Sequence, residues 1–231
     1  MDRNACRIAI VAALEREVRP LVSGWRAVQE ARNGRRFKFL ENNALVVVCG
    51  GIGLDAARRA AEAVIARYAP ERVYSAGFAG ALTPELKLGD VLRPARVVNA
   101  GDGSSVTLEG GEGVLVTFGA IAGPEQKKNL RAAYSAQAVD MEAAAVARAA
   151  EARGVRFGAL KVISDEIDFV FPSLERFVSA AGEFSEWKFA LFAAVRPWLW
   201  PRVAKLSRNS ARASRVLCER LSTIALETGE E

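Results

Sequence analysis

The chain predicts an α/β protein: a single-domain three-layer α/β/α sandwich with a mixed, mainly parallel central sheet. Three observations carry this. Apolar runs of strand length alternate with longer helix-patterned stretches along most of the 231 residues. Hydrophobic residues make up 51%, enough for a sizeable core, while aromatics are only 8% and alanine is plentiful, which suits helices lying close on a sheet. Neither an internal repeat nor a linker-like stretch divides the sequence.

Taken in order, Ile8–Ala13 is a continuous apolar run and predicts a buried strand. Glu15-Arg16-Glu17-Val18 opens a helix in which Pro20 is tolerable only near the start. Arg36–Leu40 and Leu45–Cys49 read as strands joined by a turn at Glu41-Asn42-Asn43. Gly50-Gly51-Ile52-Gly53 leads into a helix from Leu54 to about Tyr68, a place where a helix N-terminus can meet an anion. Arg72–Ala76 predicts a short strand followed by a small-residue turn, Gly77-Phe78-Ala79-Gly80-Ala81. Asp90–Val98 is extended, and Asn99–Gly113 is a loop holding one short strand at most. Val114–Phe118 is a strand, Glu125–Ala133 a helix and Ala136–Val139 a strand. Phe157–Ile163 is a strong strand ending in Ser164-Asp165-Glu166-Ile167-Asp168. From Ser173 the chain reads as helical, with a break at Pro197–Pro201. Residues 1–195 form the domain, and 196–231 a basic amphipathic helical extension packed on it.

The stretch Val139-Asp140-Met141-Glu142 stands at the head of an alanine-rich helix. On a helical wheel Glu142 shares a face with Ala145, Val146 and Ala149, and no base stands at i+3 or i+4. An inward carboxylate is costly unless something polar, such as a ligand hydroxyl, meets it. The ordinary alternative is a first-turn acid favoured by the helix dipole, with Asp140 as cap. Glu17, the glycine turn and Asp165 each have equally ordinary explanations: a dipole acid, a tight turn and a helix cap. Together they put acids at three separate element ends, where α/β sheets bind ligands.

Composition narrows the chemistry. There is no histidine, so histidine triads and histidine metal sites are excluded, and acid–base work near neutrality falls to carboxylates with shifted pKa, lysine, cysteine or tyrosine. Three scattered cysteines predict neither a disulfide framework nor a metal site and fit a cytoplasmic protein. The net charge of +5 arises from the C-terminal end, which argues against a nucleic-acid-binding face. The tail pairs Trp198 and Trp200 with a helix carrying Lys205, Arg208, Arg212 and Arg215 opposite an apolar stripe. That stripe predicts packing on the core; a basic amphipathic helix beside tryptophans also suits peripheral contact with an anionic membrane.

Five segments resemble the purine nucleoside phosphorylase and nucleosidase superfamily, and more closely its methylthioadenosine/S-adenosylhomocysteine nucleosidase branch. They are Ile8–Val18, Cys49–Gly53, Ser75–Asp90, Val139–Ala147 and Val162–Asp168, in matching order and spacing. The resemblance implies the superfamily's sandwich fold, a homodimer, no cofactor and no metal, and a purine nucleoside as substrate. It implies that Glu17 activates a water, that Met141 and Glu142 hold the ribose, and that Asp165, supported by Ser164, protonates N7 of the departing purine. Gly51, Phe78 and Ala79 fall at the positions that face substrate. The expected reaction is hydrolysis of the N-glycosidic bond of a 5′-substituted adenosine, which requires Asp165 to be buried enough to hold a proton and Glu17 to stay ionised.

Three departures bear on the nucleophile and on the 5′ group, and a phosphorylase is the alternative reading. Ala12–Glu17 replaces the glycine- and arginine-containing phosphate loop of the hexameric phosphorylases, yet Arg16, Arg58 and Arg59 are close in sequence. Phe78 stands where the nucleosidases have a serine. Asn99–Gly113 is short for the loop near the 5′ end, which suits a bulky 5′ group. Hopanoid-associated phosphorylases, relatives in this superfamily, remove adenine from an adenosyl-lipid, and the basic tail would suit such a substrate. A non-catalytic nucleoside-binding protein is the third hypothesis.

Overall fold

The computed structural model describes residues 7–32, 34–43, 45–170, 177, 179, 182, 185 and 197–229. The elements run β1 (Ile8–Ala12), α1 (Glu15–Val22), β2 (Arg26–Arg32), β3 (Arg35–Asn42), β4 (Leu45–Cys49), α2 (Leu54–Tyr68), β5 (Arg72–Ala81), β6 (Val91–Leu92), β7 (Arg96–Asn99), β8 (Ser105–Thr107), β9 (Val114–Thr117), α3 (Pro124–Tyr134), β10 (Ala138–Asp140), α4 (Ala143–Glu151), β11 (Arg156–Asp165) and, after a 3₁₀ turn at Pro197–Leu199, a C-terminal helix α5 (Trp200–Gly229). The strands form one mixed sheet in the order β2-β3-β4-β1-β5-β10-β9-β7-β8, with β11 and β6 joined along the free side of β5.

The sheet branches at β5. Its first half pairs in parallel with β1, Ile8 opposite Arg72 through Val11 opposite Ser75. β1 then ends at Ala12, while β5 runs on and takes up β10 in antiparallel register at Gly80 and Ala81. Throughout, its other edge is held by β11 in parallel. A crevice opens where one neighbour stops and the next begins from the opposite direction, the kind of switch point at which α/β sheets bind ligands.

Helices cover both faces. On one, α2 and α4 pack alanines and valines against Val11, Val46, Val48 and Val73. On the other, α1 and α5 enclose a second core in which Ala213, Leu217 and Leu221 meet Ile10, Val18 and Val22. The apolar stripe of α5 is thus part of the main core, and its basic residues Lys205, Arg208, Arg212 and Arg215 are exposed. Among the described residues no helix is long and apolar enough to cross a membrane.

Several expectations are corrected. Gly77–Ala81 is no turn: β5 continues through it, because β11 pairs alongside as far as Gly80. β2 was absent from the sequence reading; it is an edge strand, bonded to β3 alone, and its mostly polar, half-exposed residues carry no strand-like apolar run. Pro20 is the sixth of eight residues in α1, not near its start. It has no N–H for the Arg16 carbonyl four residues back, and the Ser214 hydroxyl of α5 supplies a donor there instead, 3.2 Å from Arg16 O and 2.9 Å from Glu17 O. The predicted break at Pro197–Pro201 is confined to the 3₁₀ turn, with Pro201 already in the first turn of α5. The helix expected over 173–196 lies outside the described residues.

Candidate active site

Glu17, Phe78, Ala79, Met141, Glu142, Ser164 and Asp165, from four separate segments, line one cavity at the β5 branch point. Gly51 does not: its neighbour Ile52 lies on the wall, and the Gly53 amide reaches the site through Glu142. Of the arginines considered for an anion, Arg16 lines the cavity, whereas Arg58 is on the outer face of α2, bonded to Glu62 and Asp55.

Glu17 enters from the first turn of α1, just beyond the end of β1. It is 6% exposed, and its Oε2 is buried without a hydrogen-bond partner. Gly77 makes the room: a Cβ there would stand 3.0 Å from Glu17 Oε2. Burial, reinforced by the nearby charge of Glu142 and only partly offset by Lys161 and Arg16, pushes the Glu17 carboxyl up to about 7. The expected permanently ionised base is therefore an acid poised near neutrality. Cys49, pushed up to about 12 by burial and by Glu17, is an inert thiol beside it.

Glu142 is not on a helix face. It is the N-cap of α4, with φ −132° and ψ −36°. The first helical amides are met by other groups: Asp140 Oδ2 accepts from Ala143 N–H at 2.8 Å and the Thr117 hydroxyl oxygen from Ala144 N–H at 3.0 Å. Released from capping, the Glu142 carboxylate turns across the cavity and accepts the Gly53 N–H at the head of α2, at 2.9 Å. So the glycine turn and the acid, 89 residues apart, form one wall. Burial and the charge of Asp140 push Glu142 up to about 7 as well.

Beneath both acids lies Lys161 of β11, 1% exposed, 2.8 Å from Asp140 Oδ2 and donating to Ser75 Oγ at 3.0 Å. Burial alone would lower its pKa, but Asp140, Glu142 and Glu17 outweigh that and hold the ammonium above its ordinary range. Asp140 also accepts the Thr117 hydroxyl at 2.6 Å, so both of its oxygens are bonded.

Asp165 ends β11 as a strand residue rather than a helix cap, 4% exposed. Both of its oxygens are held: Ser164 Oγ donates to Oδ1 at 2.8 Å, and Lys127 Nζ lies 2.5 Å from Oδ2. Beyond the expected support from Ser164, the structure pairs Asp165 with a buried cation from α3. Lys127 was missed, as were Lys161 and the Ala120-Ile121-Ala122 loop on the cavity wall. The signal for Lys127 lies in its spacing: it stands three residues before Leu130, on the buried side of α3.

The chain matches the model of the Phosphorylase superfamily over residues 7–122 and 112–194. It is 24% identical over 251 residues to the aminodeoxyfutalosine nucleosidase of Campylobacter jejuni, covering 93% of this chain and 99% of that one. Among solved structures it resembles the 5′-methylthioadenosine/S-adenosyl homocysteine nucleosidase of Helicobacter pylori, with a TM-score of 0.72 at 20% identity, covering 96% of this chain and 99% of that one. The futalosine hydrolase of Helicobacter pylori matches with a TM-score of 0.73 at 19% identity, covering 98% and 100%. With a family model spanning most of its length, the chain belongs to the Phosphorylase superfamily.

Proposed function

We propose that the protein hydrolyses the N-glycosidic bond of a purine nucleoside, a 5′-substituted adenosine, and releases adenine. The observation that carries this is the convergence of Glu17, Glu142 and Asp165 on one cavity. Cleavage builds positive charge on the sugar and negative charge on the base. Asp165 meets N7 of the base, with Ser164 and Lys127 fixing its two oxygens. Glu142, already turned into the cavity, accepts the ribose hydroxyls and lies beside the developing cation; Met141 packs against the sugar. The unpartnered Oε2 of Glu17 takes a proton from the attacking water. Lys161 keeps this pair of acids from repelling each other out of position. Phe78 adds an apolar wall to the cavity. The curated relative and the solved structures named above are nucleosidases or hydrolases, which supports water as the nucleophile.

The second reading, phosphorolysis, is favoured by one observation: Arg16 lies on the cavity wall beside Glu17. The two separate in one experiment. Free base is measured from a panel of 5′-modified adenosines in phosphate-free buffer and again with phosphate. Hydrolysis predicts release in both; release that demands phosphate rejects the first reading in favour of the second.

We further infer a cytoplasmic homodimer that touches anionic membrane through the start of α5. Trp198 is 70% and Trp200 56% exposed, next to exposed Arg202, Lys205 and Arg208. A monomeric mass in sedimentation equilibrium would reject the dimer.

A further inference from the structure

We propose that Lys127 is the proton source behind Asp165: together they form a relay that delivers a proton to the leaving base. This rests on the nucleosidase reading above and deepens it. Lys127 reaches from α3 to the end of β11, is 1% exposed, and has its ammonium 2.5 Å from Asp165 Oδ2 and 2.8 Å from the Glu166 carbonyl oxygen to which it donates. Gly80 is shaped around the pair. A Cβ there would stand 2.7 Å from Asp165 Oδ2 and 3.1 Å from Lys127 Cε.

A buried ion pair is weak support for stability, since desolvation of both ions offsets their attraction, and an apolar pair would fill the same volume at no loss. The placement makes sense as chemistry. The departing purine needs a proton, and the two oxygens of Asp165 are bonded to a hydroxyl and to an ammonium. The nearest transferable protons are on Lys127 and on the Ser164 hydroxyl, and an ammonium is a stronger acid than an aliphatic hydroxyl. As the bond from C1′ to the base breaks, its electron pair passes into the purine and N7 becomes basic. A proton moves from Lys127 Nζ into the Asp165 carboxyl group, and one moves from that group to N7. Adenine leaves neutral; Lys127, left as a neutral amine, regains a proton from solvent. Lys127 acts through Asp165, so it is a positioning and proton-supplying residue. The other cations of α3, Lys128 and Arg131, are exposed, and Asp165 is the acid bonded to Lys127.

The test compares wild type, Lys127→Met and Asp165→Asn on two substrates: 5′-methylthioadenosine, and 4-nitrophenyl riboside, whose phenolate departs without a proton. The expected result for Lys127→Met is a kcat about 100-fold lower on the nucleoside with KM little changed, in the range of a lost general acid. The alkaline limb of its kcat profile moves to lower pH, and cleavage of the nitrophenyl riboside is retained, which shows that the site is still folded. Asp165→Asn follows the same pattern. Equal losses on both substrates, or a pH profile of unchanged shape, mean a structural role and overturn the proposal while leaving the enzyme reading intact. A wild type that cleaves neither substrate overturns both.

Discussion

Glu17 combines two properties that pull against each other. Its carboxyl is raised from 4.5 to about 7 by burial, so the folded protein binds this proton more tightly than the unfolded chain does. The sign follows: between pH 4.5 and 7 the native state holds more protons, and stability falls as pH rises through that window. The loss reaches about 3 kcal/mol once Glu17 is ionised. Glu17→Gln is therefore expected to melt higher than wild type at pH 8 and alike at pH 4, while kcat falls by about a hundred- to ten-thousand-fold. Differential scanning calorimetry at the two pH values, beside a free-base assay, checks both halves. In wild type, activity should climb as pH passes about 7 and Glu17 becomes a base. Gly80→Ala addresses the other acid. Its new Cβ would press on Asp165 Oδ2 from 2.7 Å, so turnover should drop at least tenfold with circular dichroism unchanged.

At the level of elements, α5 ties the far end of the chain to the first helix. Ser214 donates to the Arg16 carbonyl that Pro20 leaves short of a donor and to the neighbouring Glu17 carbonyl, so the last helix steadies the turn from which Glu17 projects. Ser214→Ala should cost about 1 kcal/mol of stability, the ordinary worth of such a bond, and lower kcat more than it raises KM, because the misplaced group acts in the transition state. Leu217, fully buried between α5 and the sheet, should cost 2–5 kcal/mol as Leu217→Ala, about the range for emptied core sites, without selective loss of activity. Chemical denaturation and steady-state kinetics on the two variants separate these outcomes.

Across the whole molecule, one end of α5 anchors the core while the other presents tryptophans and arginines outward. Sedimentation with vesicles should show binding to phosphatidylglycerol-containing but not to pure phosphatidylcholine vesicles, and Trp198→Ala with Trp200→Ala should abolish it; equal partition into both rejects the membrane contact. Local pattern was enough for most of the scaffold. The apolar run of β1 and the strand leading to Asp165 are written in consecutive residues, because burial on both faces demands unbroken apolar stretches, and the helix from Leu54 to Tyr68 is written in its amphipathic period. The acids at element ends were legible for the same reason: each interrupts such a run. What the linear order does not carry is partnership across the sheet. The direction of Glu142 depends on Asp140 and Thr117 taking the helix amides, and on Gly53 waiting 89 residues away. The cation on Asp165 comes from a helix 38 residues earlier. The continuation of β5 through Gly77–Ala81 exists because β11 lies beside it. Sequence alone determined most of the elements and which acids stand at their ends, since those follow from short-range periodicity; β2 and the far half of β5, which lack such a pattern, it did not. Tertiary structure decided which charges are paired and which are left bare, since electrostatic coupling in a dry crevice depends on distance through space, not along the chain.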